Sequence, residues 1–232
     1  MAFDPSKYTI AKARPLPVIL MLDRSGSMEG EKILQLNAAV NEMIESFKTA
    51  GQGEVDVNIA VISFGNGGAT LDLKLQSVST IESLLCLQAD GMTPMGMALR
   101  MAKDMIEDKD EIPSKGYRPA VVLVSDGAPN DDWEKNMEDF VGNGRSSKCE
   151  RFAMAIGTSQ DDPVLNKFLS GTENKVFLAS EASKIRDFFK FVTMSVSVRS
   201  RSQNPNALLP ALSNPSAPSQ LEDLAKELGF DL

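Results

Sequence analysis

The strongest constraint on the fold is a pair of short apolar segments, each followed directly by an aspartate. Residues 16–22 have the sequence LPVILML and precede Asp23, and residues 120–125 have the sequence AVVLVS and precede Asp126. Short, continuous apolar runs are typical of central strands that are covered on both faces, as parallel sheets require. The sequence therefore predicts a parallel sheet with helices packed against it.

The segments around these two strands alternate between helical and extended patterns. Residues 31–50 carry apolar side chains at steps of three and four, which predicts an amphipathic helix. Residues 55–64 and 70–78 flank the turn sequence GNGG, which predicts a hairpin at one edge of the sheet. The other predicted helices span residues 80–87, 94–106, 132–141, 163–169 and 181–198, and the other predicted strands span residues 151–156 and 176–178. This alternation predicts an α/β fold with a doubly wound, mostly parallel central sheet, one antiparallel edge strand and helices on both faces.

Composition limits the classes of protein to which the chain can belong. Its 232 residues, 42% apolar and 24% charged, suit one globular domain with an extension. A net charge of −8 argues against nucleic acid or an anionic membrane as the main partner, because both attract basic surfaces. The two distant cysteines, Cys86 and Cys149, are predicted to be free, buried thiols, which favours a reducing compartment. With neither a signal peptide nor a run of about 20 apolar residues, we expect a cytoplasmic protein.

Changes in composition divide the chain into four parts. We predict an N-terminal extension at residues 1–15 and the α/β domain at residues 16–198. Residues 199–219 are rich in proline and serine and predict a flexible linker. Residues 220–232 contain a short amphipathic helix that needs a surface on which to dock, since so short a helix is marginal in water.

Histidine is absent from the sequence, which narrows the chemistry that the chain can perform. Histidine-containing catalytic triads and zinc sites are excluded, and two separated cysteines cannot supply a structural zinc site. Any bound metal would have to be held by oxygen atoms, which favours Mg²⁺, with Mn²⁺ or Ca²⁺ as alternatives.

Three oxygen-rich loops are predicted at one edge of the sheet. DRSGS begins at Asp23 and supplies Ser25 and Ser27, GMTP supplies Thr93, and SDG supplies Asp126. The carboxyl ends of strands in a doubly wound sheet form its usual ligand-binding crevice. Two carboxylates and three hydroxyls suit a hard divalent cation and leave it a free position for an outside Asp or Glu.

Each of these residues also has an ordinary structural explanation. Asp23 and Ser27 could cap a helix, Thr93 before Pro94 is a common helix start, and Asp126 before glycine is a common turn. Each explanation is the stronger one when its residue is taken alone. The three loops together, two of them directly after buried strands, favour a metal site.

The segments DRSGSM, GMTPMG and VSDGAPND resemble the D-x-S-x-S, threonine and Asp-Gly segments of von Willebrand factor type A domains. The resemblance covers residues 16–198 and implies an intact metal-ion-dependent adhesion site. It assigns Ser25, Ser27 and Thr93 as direct ligands. It assigns Asp23 and Asp126 as ligands either directly or through water.

Within the family, the chain is most similar to small bacterial intracellular proteins of the TerY type, which are linked to tellurium-resistance-like gene clusters. That similarity implies a protein kinase or a metal-dependent phosphatase as a partner. The resemblance also implies that the last helix, at residues 181–198, acts as a lever on binding.

Several residues near the loops are predicted to form a partner-binding rim. These are Arg24, Met28, Met92, Met95 and Trp133. Trp133 could equally cover the core, and Asp131 and Asp132 are expected to cap helices.

The leading functional hypothesis is a non-enzymatic module that binds a protein partner through the metal. An alternative is a phosphotransferase of the haloacid-dehalogenase type with Asp23 as nucleophile, although the position of its second acid holds Ser25. Another is a structural adaptor that acts through its C-terminal helix. The sequence contains no P-loop motif, so nucleotide hydrolysis is unsupported.

Overall fold

A computed structural model describes residues 14–50, 55–181 and 183–201 of the chain. Six strands within these ranges form one sheet in the order β3-β2-β1-β4-β5-β6. The β2–β3 pair is antiparallel, and the four other neighbouring pairs are parallel. The strands are β1 (Arg14–Asp23), β2 (Val55–Gly65), β3 (Gly68–Ser77), β4 (Ala120–Ser125), β5 (Glu150–Ile156) and β6 (Phe177–Ala179).

Helices cover both faces of the sheet. One face packs against α1 and α5, and the other packs against α2, α3 and α4. None of the helices in the described ranges is long and apolar enough to cross a membrane. The helices are α1 (Glu31–Ala50), α2 (Met95–Glu107), α3 (Trp133–Gly142), α4 (Pro163–Leu169) and α5 (Ser183–Arg201).

The position of strand β1 in the middle of the sheet explains why its sequence is continuously apolar. Leu20 and Leu22 point into the core beneath α1 and α5, whereas Ile19 and Met21 point into the core beneath α2 to α4. All four side chains are fully buried. Alternate residues of a strand face opposite sides, so a strand covered on both sides needs apolar residues at every position.

The direction in which strands are added to the sheet reverses beside β1. The chain passes from β1 through α1 to β2 on one side, and later through α2 to β4 on the other side. Strands β2 and β4 both run parallel to β1. The carboxyl ends of β1 and β4 therefore flank the switch point in strand order where doubly wound folds bind ligands.

The predicted fold class is confirmed, including the antiparallel edge hairpin. The helix predicted at residues 80–87 is wrong, because only a 3₁₀ turn at Val78–Thr80 precedes irregular chain. Side chains of α1 satisfy the backbone of that segment in place of a helix. Asn37 bonds to both backbone groups of Leu87, and Asn41 bonds to both backbone groups of Leu85, at 2.8–2.9 Å.

Two boundaries of the predicted outer segments differ from those in the structure. Strand β1 begins at Arg14, inside the predicted N-terminal extension, and α5 continues to Arg201, inside the predicted linker. The remainder of the extension and of the linker, together with the predicted C-terminal helix, lies outside the described residues.

Candidate metal-ion site

Asp23 ends β1 at the centre of the candidate site, and its side chain is fully buried. Its Oδ1 accepts a hydrogen bond from the backbone N–H of Ser25 at 2.8 Å. Its Oδ2 accepts a hydrogen bond from the hydroxyl of Ser125, the last residue of β4, at 2.6 Å. One carboxyl oxygen is therefore held by the loop that follows β1, and the other by the end of the neighbouring strand β4.

A continuous row of oxygen atoms runs from the first loop to the third. The Oγ atoms of Ser25 and Ser27 are 2.9 Å apart. The hydroxyl of Ser27 also donates to Oδ1 of Asp126 at 2.6 Å, although the two residues are 99 positions apart in the chain. The structure thus brings together four of the five predicted ligands: Asp23, Ser25, Ser27 and Asp126.

Thr93, the fifth predicted ligand, is attached to this group through backbone contacts. The N–H of Gly26 in the first loop donates to the carbonyl of Gly91 at 2.9 Å. Asn130 contacts both backbone groups of Thr93, since its Oδ1 accepts the threonine N–H at 2.9 Å and its own N–H donates to the threonine carbonyl at 3.1 Å. Among the described residues, no hydrogen bond joins the Thr93 side chain to the other four ligands.

The second loop approaches the edge hairpin so closely that it requires a glycine. Gly91 has a φ of +74°, in the left-handed region that glycine favours. A Cβ atom there would lie 2.6 Å from the Cα of Asn66, which is too close for any side chain. Gly91 therefore allows the loop to pack against the hairpin and carry Thr93 towards the first loop.

The two carboxylates of the site, Asp23 and Asp126, have different electrostatic surroundings. Burial raises the pKa of Asp23 above its ordinary value, and hydrogen bonds from Ser125 and Ser25 oppose that rise. The negative charge of Asp126 raises the Asp23 pKa further. Asp126 has a fully buried side chain and forms an ion pair with Lys32, whose Nζ lies 2.5 Å from Oδ2.

The donor set suits a hard divalent cation. Mg²⁺ takes octahedral oxygen ligands at about 2.0–2.1 Å, which places neighbouring ligand oxygens about 2.9 Å apart. The Ser25 and Ser27 hydroxyls are 2.9 Å apart and hydrogen-bonded to each other, so both can face one cation. Across the described ranges, no group of three or more Asp, Glu, His or Cys side chains is placed to hold a metal. A cation here would depend on hydroxyl ligands beside only two carboxylates.

Two of the predicted rim residues are buried, and this corrects the prediction. Met28 and Met95 have no exposed surface, because each points into the core on a different face of the sheet. Met92 is 62% exposed directly beside Thr93. A methionine close to a candidate ligand in sequence can therefore be buried, like Met28 and Met95, or exposed, like Met92.

The other two predicted rim residues are partly buried. Arg24 donates from Nε to the hydroxyl of Ser63 at 3.0 Å, which ties its guanidinium to β2. Trp133 begins α3 and packs against the core beneath α2 to α4, with the Lys167 ammonium 5.7 Å from its ring centroid. Trp133 thus covers the core while part of its surface remains exposed.

Three residues of the site, Ser125, Lys32 and Asn130, have no role in the prediction from sequence. Ser125 directly precedes Asp126, so its position at the end of an apolar strand was a usable signal. Nothing in the sequence marks Lys32 or Asn130, since their roles depend on contacts between distant segments. Asp131 is expected to cap a helix and does so for α2, where its carboxylate accepts the N–H groups of Gly96 and Met97 at 3.0 Å.

The thiols also differ from expectation in one respect. Both cysteines are free, and Cys149 is buried as predicted, but Cys86 is exposed. Cys86 lies in the irregular segment where a helix was predicted, so the amphipathic face that would have buried it does not form.

Comparison with known proteins identifies the family. The sequence profile of the von Willebrand factor type A domain matches residues 18–191, and the chain belongs to this family. Matrilin-3 from Gallus gallus is 26% identical over 162 residues, which cover 64% of this chain and 33% of that protein. Inter-alpha-trypsin inhibitor heavy chain H6 from Homo sapiens is 24% identical over 161 residues, which cover 65% and 12%. The chain therefore spans a third or less of these curated relatives.

Solved structures with the same fold come from diverse sources. Proximal thread matrix protein 1 from the mussel byssus superposes with a TM-score of 0.60 at 18% identity, covering 78% of this chain and 48% of that one. The von Willebrand factor domain of the pilus tip protein Mfa5 from Porphyromonas gingivalis gives a TM-score of 0.58 at 12% identity, with coverages of 84% and 99%. At these identities the likeness establishes the fold alone.

Proposed function

We propose that this domain binds a protein partner through a divalent cation held by Asp23, Ser25, Ser27, Thr93 and Asp126. The observation that carries the proposal is the row of oxygen atoms from Ser25 through Ser27 to Asp126, at the carboxyl ends of β1 and β4. We propose Mg²⁺ as the cation, with Mn²⁺ and Ca²⁺ as the alternatives, because all three prefer oxygen ligands.

The proposed metal ligands suit a cation that binds a partner better than one that the protein encloses completely. When bound, the cation supplies a Lewis acid that can accept a carboxylate from an Asp or Glu of the partner. Asp23 and Asp126 contribute only two negative charges, and the hydroxyls of Ser25, Ser27 and Thr93 contribute none. The chain thus leaves the positive charge of the cation incompletely neutralised, and an outside carboxylate completes the neutralisation.

Exposed apolar side chains beside the site suggest what surrounds that carboxylate on the partner. Met92 and Met97 are 62% and 49% exposed, and Met97 lies against Gly68 of the edge hairpin. Methionine side chains are flexible and make adaptable contact surfaces. We therefore include an apolar residue next to the acidic residue in the partner motif, with Met92, Arg24 and Trp133 as the predicted rim.

A non-enzymatic role fits these residues better than phosphotransfer. Both carboxyl oxygens of Asp23 accept hydrogen bonds, and Ser25 occupies the place of the second acid that a haloacid-dehalogenase-type nucleophile requires. Domains related to this one are mainly interaction and adhesion modules. We accordingly assign Asp23 to the cation rather than to a covalent intermediate.

The proposed partner is a cytoplasmic protein kinase or metal-dependent phosphatase of a TerY-type system. Support comes from the resemblance of the segments DRSGSM and GMTPMG to that group. The free thiols of Cys86 and Cys149 are compatible with a reducing compartment. Identification of a captured kinase or phosphatase by mass spectrometry would support this assignment.

A pull-down from native cytoplasm tests the function directly. Wild type and Asp23→Ala are used as baits in Mg²⁺ and in EDTA, with Asp104→Ala as a control because Asp104 is exposed on α2. We expect one set of partners to bind wild type and Asp104→Ala in Mg²⁺ only, and not to bind Asp23→Ala. Partners retained in EDTA and by Asp23→Ala would overturn the metal-dependent model. Deletion of residues 220–232 would then test the adaptor alternative.

A further inference from the structure

Lys32 places a positive charge inside the candidate site. It lies in the first turn of α1, and its Nζ contacts Oδ2 of Asp126 at 2.5 Å and the carbonyl of Ser27 at 3.1 Å. A Cβ atom built on Gly157, which follows β5, would lie 3.9 Å from the same ammonium. The ammonium therefore lies among the loops that follow β1, β4 and β5.

The carboxylate of this ion pair is more buried than those of six other ion pairs between described residues. The carboxylate side chains of the six other residue pairs are between 35% and 69% exposed, whereas that of Asp126 is fully buried. Exposed pairs contribute little, because water screens both charges. The Lys32 side chain is itself 35% exposed, so water screens part of its charge, but its partner is buried and the effective dielectric between the two charges is lower than that of bulk water.

We propose that Lys32 is a fixed counter-charge that tunes the site, weakening cation binding and strengthening the binding of a partner carboxylate. The inference rests on the proposed function, since it assumes that a divalent cation binds. Two carboxylates and one divalent cation sum to zero charge, and Lys32 raises the sum to +1. A site with net charge +1 attracts an acidic side chain more strongly than a neutral site does.

The two effects of Lys32 have opposite signs, which separates this proposal from a purely structural role. Loss of a residue that only positions Asp126 would weaken both cation binding and carboxylate binding. Loss of a counter-charge strengthens cation binding and weakens carboxylate binding. Without a cation, loss of the lysine also leaves the buried Asp126 carboxylate unpaired, so the metal-free domain becomes less stable.

The test compares two neutral variants, Lys32→Met and Lys32→Gln, with the charge-retaining variant Lys32→Arg. Lys48→Met is the matched control, because Lys48 lies on the same helix and pairs with Glu45, whose side chain is 59% exposed. Isothermal titration with Mg²⁺ is expected to show binding on the order of tenfold tighter for the neutral variants. Lys32→Arg and Lys48→Met should stay within about twofold of wild type. In EDTA, the neutral variants should melt at lower temperature than wild type.

The second part of the test measures carboxylate binding, with acetate as the probe and acetamide as the uncharged control. Acetate is titrated into Mg²⁺-saturated protein while the amide signals of Ser25 and Ser27 are followed by NMR. We expect the neutral variants to bind acetate several-fold more weakly than wild type, and no variant to respond to acetamide.

The outcomes separate this inference from the proposed function. If wild type binds Mg²⁺ and Asp23→Ala does not, the site exists. If the neutral Lys32 variants then bind Mg²⁺ no more tightly than Lys48→Met does, the counter-charge proposal is wrong and the proposed function stands. If wild type does not bind Mg²⁺, Mn²⁺ or Ca²⁺, the proposed function and this inference fail together.

Discussion

The hydroxyl of Ser125 donates a 2.6 Å hydrogen bond to Oδ2 of Asp23, although the two residues are 102 positions apart in the chain. The register of the sheet causes this contact. Leu22 of β1 is paired with Val124 of β4, so the next residue of each strand, Asp23 and Ser125, lies at the same edge. The register of the sheet thus orients one oxygen of the central carboxylate, while the N–H of Ser25 in the first loop holds the other.

Replacement of Ser125 by alanine should therefore disturb the site through Asp23. The variant leaves Oδ2 of a buried carboxylate without its donor, which should cost about 1–3 kcal/mol of stability. We also expect weaker Mg²⁺ binding, because the carboxylate loses a fixed orientation. Urea denaturation and Mg²⁺ titration measure the two effects.

A matched serine provides the control for this prediction. Ser46 on α1 is also hydrogen-bonded, but its partner is an exposed helix carbonyl. Ser46→Ala should change stability by less than about 0.5 kcal/mol and leave Mg²⁺ binding unchanged. Equal effects at both positions would show that Ser125 has no special role in holding Asp23.

The sequence predicted the sheet, and that four of the candidate ligand residues lie close together, because these signals are local. The run at residues 16–22 identifies a central strand by its own composition, and Asp23 directly follows it. Hydroxyls two residues apart, in Ser25 and Ser27, indicate a common target without knowledge of the fold. The fold class and the proximity of four candidate ligand residues followed from such patterns.

The sequence could not predict features that depend on long-range contacts. Residues 80–87 have helical composition, but Asn37 and Asn41 of α1 bond to their backbone and hold the segment in an irregular conformation. Met28 and Met95 were predicted to be exposed near the loops, but the direction of a side chain depends on the turn that carries it. The contact of Lys32 with Asp126 likewise requires α1 and β4 to be packed together.

Asp23 should destabilise the metal-free domain. Burial raises its pKa in the folded state, so the folded state binds a proton more tightly than the unfolded state does. The cost is absent below the unfolded pKa of about 4 and grows as the pH rises towards the folded pKa. Asp23→Asn should therefore raise the melting temperature in EDTA at pH 7, by about 2–4 °C for each 1 kcal/mol removed.

Thermal melts of the Asp23→Asn variant across pH check the sign of this effect. In EDTA, its advantage over wild type should shrink as the pH is lowered towards about 4. The variant should also lose the stabilisation that Mg²⁺ gives to wild type. Asp104→Asn, at an exposed position, should match wild type in both respects. An Asp23→Asn variant that melts below wild type at pH 7 would contradict the prediction.

Asn37 is expected to control the mobility of the loop that carries Thr93. Its side-chain amide bonds to both backbone groups of Leu87 at 2.8 Å, six residues before Thr93. Asn37→Ala removes both bonds and should cost about 1–3 kcal/mol of stability. Hydrogen exchange of residues 85–93 should become faster, and Mg²⁺ binding should weaken several-fold.

A second asparagine separates this effect from general destabilisation. Asn166 on α4 also donates to two backbone carbonyls, those of Gln160 and Asp162, far from the second loop in sequence. Asn166→Ala should leave exchange of residues 85–93 and Mg²⁺ binding unchanged. Faster exchange of that loop in both variants would indicate a global effect and refute a specific role for Asn37.

Arg151 should be essential for stability but irrelevant to the metal site. It is 1% exposed, and its guanidinium donates to the carbonyls of Ser146, Ser147, Phe168 and Ser170 at 2.6–3.4 Å. Arg151→Met removes the guanidinium from all four carbonyls, leaves the buried Phe168 carbonyl without this donor, and should cost about 3 kcal/mol. Arg151→Lys should recover only part of this loss, because an ammonium lacks the planar fork of donors.

The position of Arg151 explains why Mg²⁺ binding should survive its replacement. It is the second residue of β5 and lies at the amino-terminal end of the parallel strands, whereas Asp23 and Asp126 lie at the carboxyl end. Urea denaturation gives the loss of stability, and titration with Mg²⁺ well below the melting temperature should give wild-type affinity. Arg186→Met, which removes an exposed ion pair with Glu42, should cost less than about 1 kcal/mol. An Arg151→Met protein that remains folded but binds Mg²⁺ weakly would mean that the two edges of the sheet are coupled.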